Sequence, residues 1–356
     1  MEKFKIGIIG GGNAGQAMAG HFALMGHTIK LYNRNLDKIM PIVKSHEINL
    51  SDKIIGTANI DTVSNQLNEI IPDSEIIMVT TTANAHKEIA CAIAPYLENE
   101  QIIVLNPGRT LGALEFYNEI KKYTDKKIYI AESQTLIYAC RADTPGNVRI
   151  IGIKDRVLLA AYPSVYSDKI LEKLNSIYPC FIKATNILQT SLENFGAILH
   201  PSVMILNVGA IERGNMFYFY NDMTPSVANF IEKVDEERLS IGKAFGFNLL
   251  NVSEWVSYAY KGIKGDTLLD KIRNNPAYYK ILAPNTLRAR MLEEDIPTGI
   301  LPMIELAKMS NVSTPLLKSI LFIGQSLLNT NFIFSGRTLK NLNLENISIN
   351  NFLSQL

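Results

Sequence analysis

FKIGIIGGGNAGQAMAGHFALMGHTIKLYNRN, residues 4–35, decides the fold. Phe4–Ile9 is a short apolar run of strand character that passes directly into Gly10-Gly11-Gly12. Ala14–Met25 then places small and apolar residues at helical spacing, Gly26 ends the helix, and His27–Tyr32 is a second strand. The G-x-G-x-x-G spacing falls on Gly10, Gly12 and Gly15, and each glycine has its own reason. Gly10 permits the tight turn, Gly12 lets the backbone approach a pyrophosphate, and Gly15 lets the helix pack closely on the strand. A glycine-rich turn alone is weak evidence, but the strand before it and the helix after it supply the context the motif needs. The N–H groups and positive dipole end of that helix suit phosphate, so Gly10, Gly12, Asn13, Ala14 and Gly15 are expected to hold a dinucleotide.

Working outward, Glu75–Thr80 and Gln101–Leu105 read as two more buried strands, with helical patterns between them. Lys127–Ala131 and Val148–Ile153 are expected to complete the same sheet. Strands alternating with helices imply a parallel sheet covered on both faces. After about Thr185 the texture changes: 194–213, 225–245, 252–261, 300–309 and 315–328 all carry helical patterns. The expected architecture is an α/β Rossmann-type doubly wound domain over residues 1–187 and an all-α domain over 188–356. A chain of 356 residues suits two domains at roughly 150 residues each.

Lys and Arg total 35 against 34 Asp and Glu, a net charge of +1 that provides no basic field for nucleic acid or an anionic membrane. Apolar residues at 47% and charged residues at 19% are the balance of an ordinary globular protein. No run approaches the roughly 18 apolar residues of a membrane span. Cys91, Cys140 and Cys180 are widely separated, odd in number and without CxxC spacing, which argues against a disulfide framework or a zinc site and suits a reducing cytoplasm. A small-molecule partner is expected.

Where an NAD-binding fold would carry an acid at the end of its second strand, this chain has Tyr32-Asn33-Arg34-Asn35. Arg34 could pair with a 2′-phosphate, so NADPH is expected over NADH, with Asn33 beside it. Thr81, Thr82, Asn106, Pro107 and Gly108 follow later strand ends, where open α/β sheets place their ligands. In the helical half, His200 immediately precedes Pro201 in an apolar segment. Proline disfavours helical geometry in the residue before it, so a helix should begin or kink there and turn the imidazole toward a cleft. An imidazole suits proton exchange near neutral pH, although a histidine in apolar surroundings is more often a core residue. Arg288–Pro297 packs two arginines and three acids before a proline. It reads either as a charged helix end or as a source of a carboxylate for the histidine and an arginine for a substrate carboxylate.

Several ordered motifs spread over both halves resemble the octopine/opine dehydrogenase family: GGGNAGQAMA at 10–19, TTANAH at 81–86, NPGRTLGALEF at 106–116, ENFGAILHPSVMILN at 193–207, NPAY at 275–278, EDIPTGILP at 294–302 and GRTL at 336–339. The resemblance implies condensation of an amino acid amine with a 2-oxo acid, commonly pyruvate, and reduction of the imine by NAD(P)H. It further implies His200 as acid/base, Asp295 as its carboxylate partner, Arg290 on a substrate carboxylate or side chain, and Trp255 in a substrate-lining stretch. The active site would lie in the cleft between the domains. The implied partners are the two small substrates, without nucleic acid or membrane; a homodimer is allowed for and no metal is called for. Two rivals remain at this point: an NADP-dependent 2-oxo or hydroxy-acid reductase without amine condensation, and a non-catalytic nucleotide-sensing protein.

Overall fold

A computed structural model describes residues 2–356, and the chain divides into two compact units. The first comprises residues up to Gly108 and Gly112–Ile187, the second Arg109–Leu111 and Leu188–Leu356. Three residues inside the first unit's span therefore cluster with the second.

The first unit is built on an eight-stranded sheet. Its strands are β1 (Lys5–Ile9), β2 (Thr28–Tyr32), β5 (Thr62–Ser64), β6 (Ile76–Val79), β7 (Ile102–Leu105), β8 (Tyr129–Ser133), β11 (Val157–Tyr162) and β12 (Phe181–Lys183). They are ordered β12-β11-β8-β7-β6-β1-β2-β5. The chain moves from β1 outward through β2 to β5, then returns to place β6 on the other side of β1, which makes β1/β6 the point where the winding reverses. Every pair from β5 to β8 is parallel; β11 meets β8 antiparallel and pairs β12 parallel. β6 and β7 are buried along their whole length, as a sheet covered on both faces requires. At about 1.5–3 kcal/mol for each fully buried aliphatic side chain, Ile76, Ile77, Ile102 and Ile103 alone make this centre strongly favourable.

Val148–Ile153 does not complete that sheet, contrary to the expectation from its apolar content. It belongs to β10 (Asn147–Ile153), in a separate four-stranded sheet ordered β4-β3-β10-β9, with β3 (Glu47–Asp52), β4 (Gly56–Asn59) and β9 (Tyr138–Thr144). β10 alternates exposed and buried side chains, with Arg149 outward, which is the pattern of a strand covered on one face only. That covered face meets helix α1 (Asn13–Leu24): a Cβ on Gly20 would come within 3.1 Å of Ile48 and Leu50. The place at the far side of the main sheet goes instead to the wholly buried VLLAAY of β11.

The second unit is helical. Its long members are Phe195–Leu206, Pro225–Ala244, Leu301–Met309 and Pro315–Leu328. Within it, Arg238 and Asp235 form a buried ion pair at 2.6 Å. Its costs are offset because Arg238 also donates to the carbonyls of Leu192 and Leu250, and Asp235 accepts the Val252 N–H. The helix carrying His200 starts at Phe195, not at His200, and Pro201 lies inside it. Pro201 leaves the Ala197 carbonyl without its i+4 donor. Among the described residues no helix is long and apolar enough to cross a membrane.

Candidate active site

The glycine turn sits at the reversal of the first unit's sheet. Gly10, at φ +111°, donates its N–H to the Tyr32 carbonyl. From the neighbouring strand, the Thr80 hydroxyl lies 3.0 Å from the carbonyl oxygens of both Ile9 and Gly10 and ties the turn down. A Cβ on Gly15 would stand 1.7 Å from the Gly10 oxygen, so only glycine allows α1 this close. A Cβ on Gly12, by contrast, would meet nothing within 4 Å. Gly12 is the N-cap of α1, no side chain caps the helix, and no acid occupies its first turn. Free N–H groups therefore face open space there.

The small sheet braces this turn. Asn13 accepts the Ala142 N–H at 2.9 Å, while Gln16 accepts the Gly146 N–H and donates to the Gly11 carbonyl at 2.7 Å. A cavity of about 300 Å³ opens here, lined by Gly11, Gly12, Asn13, Asn33, Lys38 and the end of β9 with Pro145. Asn33 accepts the Gly11 N–H at 3.0 Å. Arg34 is exposed and turns onto Glu88 at 3.0 Å, and the cation on the cavity wall is Lys38. Beyond the later strand ends, the Thr81 hydroxyl and Asn106 Oδ1 are buried without hydrogen-bond partners, which a polar ligand would satisfy. Thr82 is exposed, and Pro107 and Gly108 continue the same loop. Glycine is required at 108, because a Cβ would reach 2.5 Å from a Glu132 carboxylate oxygen. This donor set and the cradle over Gly12 fit a dinucleotide.

The second unit assembles a different kind of site. His200 Nδ1 lies 2.7 Å from Asp295 Oδ2, although 95 residues separate them. Asp295 is fully buried and follows the short helix Arg290–Glu293, so the charged stretch 288–297 delivers its last acid to the imidazole. Arg109 completes the cluster: Nε and Nη2 donate to the two oxygens of Glu294 at 3.3 Å each. Its Nη1 reaches Asn194 Oδ1 and Asp295 Oδ1, also at 3.3 Å. The contact to Asp295 Oδ1 is ionic only, since that oxygen accepts no hydrogen bond. Arg290 is half exposed, with Nη1 3.6 Å from Glu294. On the other edge of the imidazole, the Tyr220 hydroxyl lies 3.4 Å from Nε2.

Burial pushes His200 below the usual histidine range, outweighing the opposing pull of Asp295, and Arg290 and Arg109 lower it further. Burial would raise the Asp295 carboxyl, but Arg109 and His200 hold it well below the ordinary carboxylate range. The pair is thus a carboxylate bonded to a neutral imidazole. An ionised Asp295 requires the proton on Nδ1, which leaves Nε2 as the lone-pair nitrogen.

Trp255 lies in packing: it is 7% exposed and its ring stacks on Phe195 at 4.6 Å. A row of rings leads back from it through Tyr260 and Tyr278 to Tyr220, the last two stacked at 4.2 Å. Reading the sequence missed Arg109, Glu294, Asn194 and Tyr220 in this unit, and Lys38 and Gln16 in the other. The available signal for Arg109 was the single cation inside NPGRTLGALEF.

A doubly wound unit with a phosphate-sized opening at its glycine turn, joined to a helical unit bearing a buried histidine–carboxylate pair, defines a two-domain nicotinamide-nucleotide-dependent dehydrogenase. Residues 183–328 match the alpha-helical domain of NAD/NADP octopine/nopaline dehydrogenases, and residues 5–109 match the NAD binding domain of 6-phosphogluconate dehydrogenase. The chain is 34% identical to an opine dehydrogenase of Arthrobacter sp. (strain 1C) over 350 residues, covering 98% of this chain and 97% of the relative. It shares its fold with octopine dehydrogenase bound to NADH and L-arginine at a TM-score of 0.78 and 18% identity, over 99% of this chain and 98% of that one. A second structural neighbour is NADP⁺-bound yersinopine dehydrogenase, at a TM-score of 0.74 and 13% identity over 96% and 97% of the chains. The chain belongs to the octopine/opine dehydrogenase family, whose members are NAD(P)-dependent oxidoreductases acting on CH–NH bonds.

Proposed function

We propose that the chain condenses the amine of an amino acid with pyruvate and reduces the product to a secondary-amine dicarboxylate, with His200 as acid/base. The balance is amino acid plus 2-oxo acid plus NAD(P)H plus H⁺, giving opine, NAD(P)⁺ and water. The observation that carries this reading is the 2.7 Å bond between His200 and a buried, ionised Asp295. With Nδ1 committed to Asp295, Nε2 is free to take a proton from the attacking nitrogen and return it to the departing hydroxyl. A lowered imidazole pKa keeps that nitrogen unprotonated, and so basic, at neutral pH. Asp295 stabilises the imidazolium that forms and fixes its tautomer. Arg290, half exposed and near the pair, is positioned to hold a substrate carboxylate. Trp255 shapes the substrate space through Tyr260 and Tyr278.

Gly10, Gly12, Asn13, Ala14 and Gly15 would hold the pyrophosphate of the nucleotide, with Asn33, Thr81, Thr82, Asn106, Pro107 and Gly108 around the remainder. The bound nicotinamide supplies the hydride. NADPH is the expected form, because no acid stands at the end of β2 to repel a 2′-phosphate and Arg34 and Lys38 are cations nearby. Three free cysteines suit a cytoplasmic setting.

The test is oxidation of NADPH and NADH by pure protein with pyruvate, alone and with each amino acid in turn. Turnover requiring both organic substrates is expected; turnover with the oxo acid alone would make the protein a simple reductase. His200→Ala should lose about 10²–10⁴ in kcat while nucleotide binding persists.

A further inference from the structure

We propose that Arg109 is a positioning residue for the acid/base pair: its guanidinium fixes the Asp295 carboxylate so that Oδ2 stays on His200 Nδ1 and Nε2 is left as the working nitrogen. The inference rests on the acid/base reading of His200. Its basis is geometric. Arg109 is 9% exposed, and its three nitrogens are spent on Glu294, Asn194 and Asp295, none of them closer than 85 residues in sequence. The planar fork thereby holds Glu294 through two nitrogens and sets the third against the neighbouring Asp295 carboxylate as an ion pair, a geometry lysine cannot reproduce.

The backbone around the fork is shaped to admit it. Arg109 itself has φ +62°, a left-handed conformation that side-chain-bearing residues disfavour. At Gly196, in the first turn of the His200 helix, a Cβ would stand 2.6 Å from Arg109 Nη1 and 3.3 Å from His200 Cε1. Glycine weakens a helix interior, and here it leaves the passage through which guanidinium and imidazole approach the same carboxylate.

The charged and titratable groups around the imidazole are Asp295, Arg290, Arg109 and Tyr220, with Glu294 behind the two arginines. Removing the Arg109 charge deletes a cation that opposes protonation of His200 and releases the Asp295 carboxyl upward. The acidic limb of the rate profile should therefore move to higher pH. Arg109→Lys keeps a charge but loses the fork, so its limb should stay while turnover falls.

The experiment measures kcat and kcat/KM against pH for the full chain and for Arg109→Gln, Arg109→Lys and His200→Asn, with NADPH binding as a check of folding. Expected are a kcat loss of about 10²-fold with an upward-shifted limb in Arg109→Gln, and a loss of about 10-fold with an unmoved limb in Arg109→Lys. An unmoved limb in Arg109→Gln, whatever its turnover, overturns the inference, as does wild-type turnover in Arg109→Lys. If Arg109→Gln does not fold, turnover of Arg109→Lys carries the decision. Wild-type activity in His200→Asn overturns the acid/base reading and this inference together. An inactive His200→Asn beside a wild-type profile in Arg109→Gln overturns this inference alone.

Discussion

The Tyr220 hydroxyl stands 3.4 Å from His200 Nε2, on the ring edge opposite the 2.7 Å bond between Nδ1 and Asp295. Burial pushes the Tyr220 phenol up to about 12, so at neutral pH it is a donor facing the nitrogen that must exchange protons. A donor to the unprotonated imidazole favours the neutral form. Tyr220→Phe keeps the ring stacked on Tyr278 and removes only the hydroxyl. It should lower kcat/KM roughly tenfold, equivalent to one hydrogen bond of about 1.4 kcal/mol, and move the acidic limb to higher pH. A profile that superimposes on the wild type would take the hydroxyl out of the reaction.

Gly12 and Gly15 separate nucleotide binding from folding within one turn. Alanine at 12 meets open space at an ordinary φ of −78°, so Gly12→Ala should melt as the wild type does. Its methyl nonetheless occupies the approach of the pyrophosphate, and NADPH should bind at least about tenfold more weakly, a loss of about 1.4 kcal/mol. Alanine at 15 collides with the Gly10 carbonyl, and the overpacking should cost about 1–3 kcal/mol of stability or more. Thermal melts and fluorescence titrations of the two variants would settle it; equal melting of Gly15→Ala and wild type would contradict the close packing of α1.

The strand–turn–helix core is legible because its signals are local: a continuous apolar run, glycines at fixed spacing and small residues on one helix face. The four-stranded sheet is not. β9 and β10 carry Arg141, Asp143 and Arg149 on their open face, and β10 pairs with β3 about a hundred residues earlier. No window of the sequence contains both partners. The site divides the same way. His200 stands out beside Pro201, yet the helix runs through both, because burial outweighs the local preference of the residue before proline. The charged stretch 288–297 offers Asp295 as a carboxylate for the histidine, but a charged helix end reads equally well there, and the family resemblance is what favours the pairing. For Arg109 the lone cation of 106–116 names no partner, since every group it binds lies 85 to 186 residues away.

Cofactor choice turns on two cations of unequal standing. Arg34 follows β2 but is exposed and paired with Glu88, an ion pair that contributes little in water. Lys38 lines the cavity itself. Arg34→Asp replaces a releasable cation with a carboxylate and should raise the KM for NADPH by roughly tenfold or more while leaving that for NADH nearly unchanged, given the 1.5–3 kcal/mol of a charge-assisted hydrogen bond. Lys38→Ala should move the same ratio in the same direction. Steady-state kinetics with both nucleotides decides, and an NADPH/NADH ratio untouched by either change would remove the 2′-phosphate from this end of the cavity.

A second histidine makes the first unit sensitive to acid. His21 lies on α1 between the rings of Tyr138 and Tyr178, with Nδ1 2.7 Å from the Tyr138 hydroxyl. Burial lowers its pKa from 6.5 to about 4. Between those values the unfolded chain binds a proton that the folded one refuses, so stability is fully present above about pH 6.5 and is lost as the pH falls toward 4. The whole shift is worth on the order of 3 kcal/mol. His21→Gln keeps a side chain able to bond the Tyr138 hydroxyl but cannot titrate. Although it should be less stable than the wild type at pH 7, its urea midpoint should fall less between about pH 7 and 5, on the linkage just described. Equal falls in the two proteins would place the acid sensitivity elsewhere, with His27, whose pKa burial also lowers, as the next group to replace.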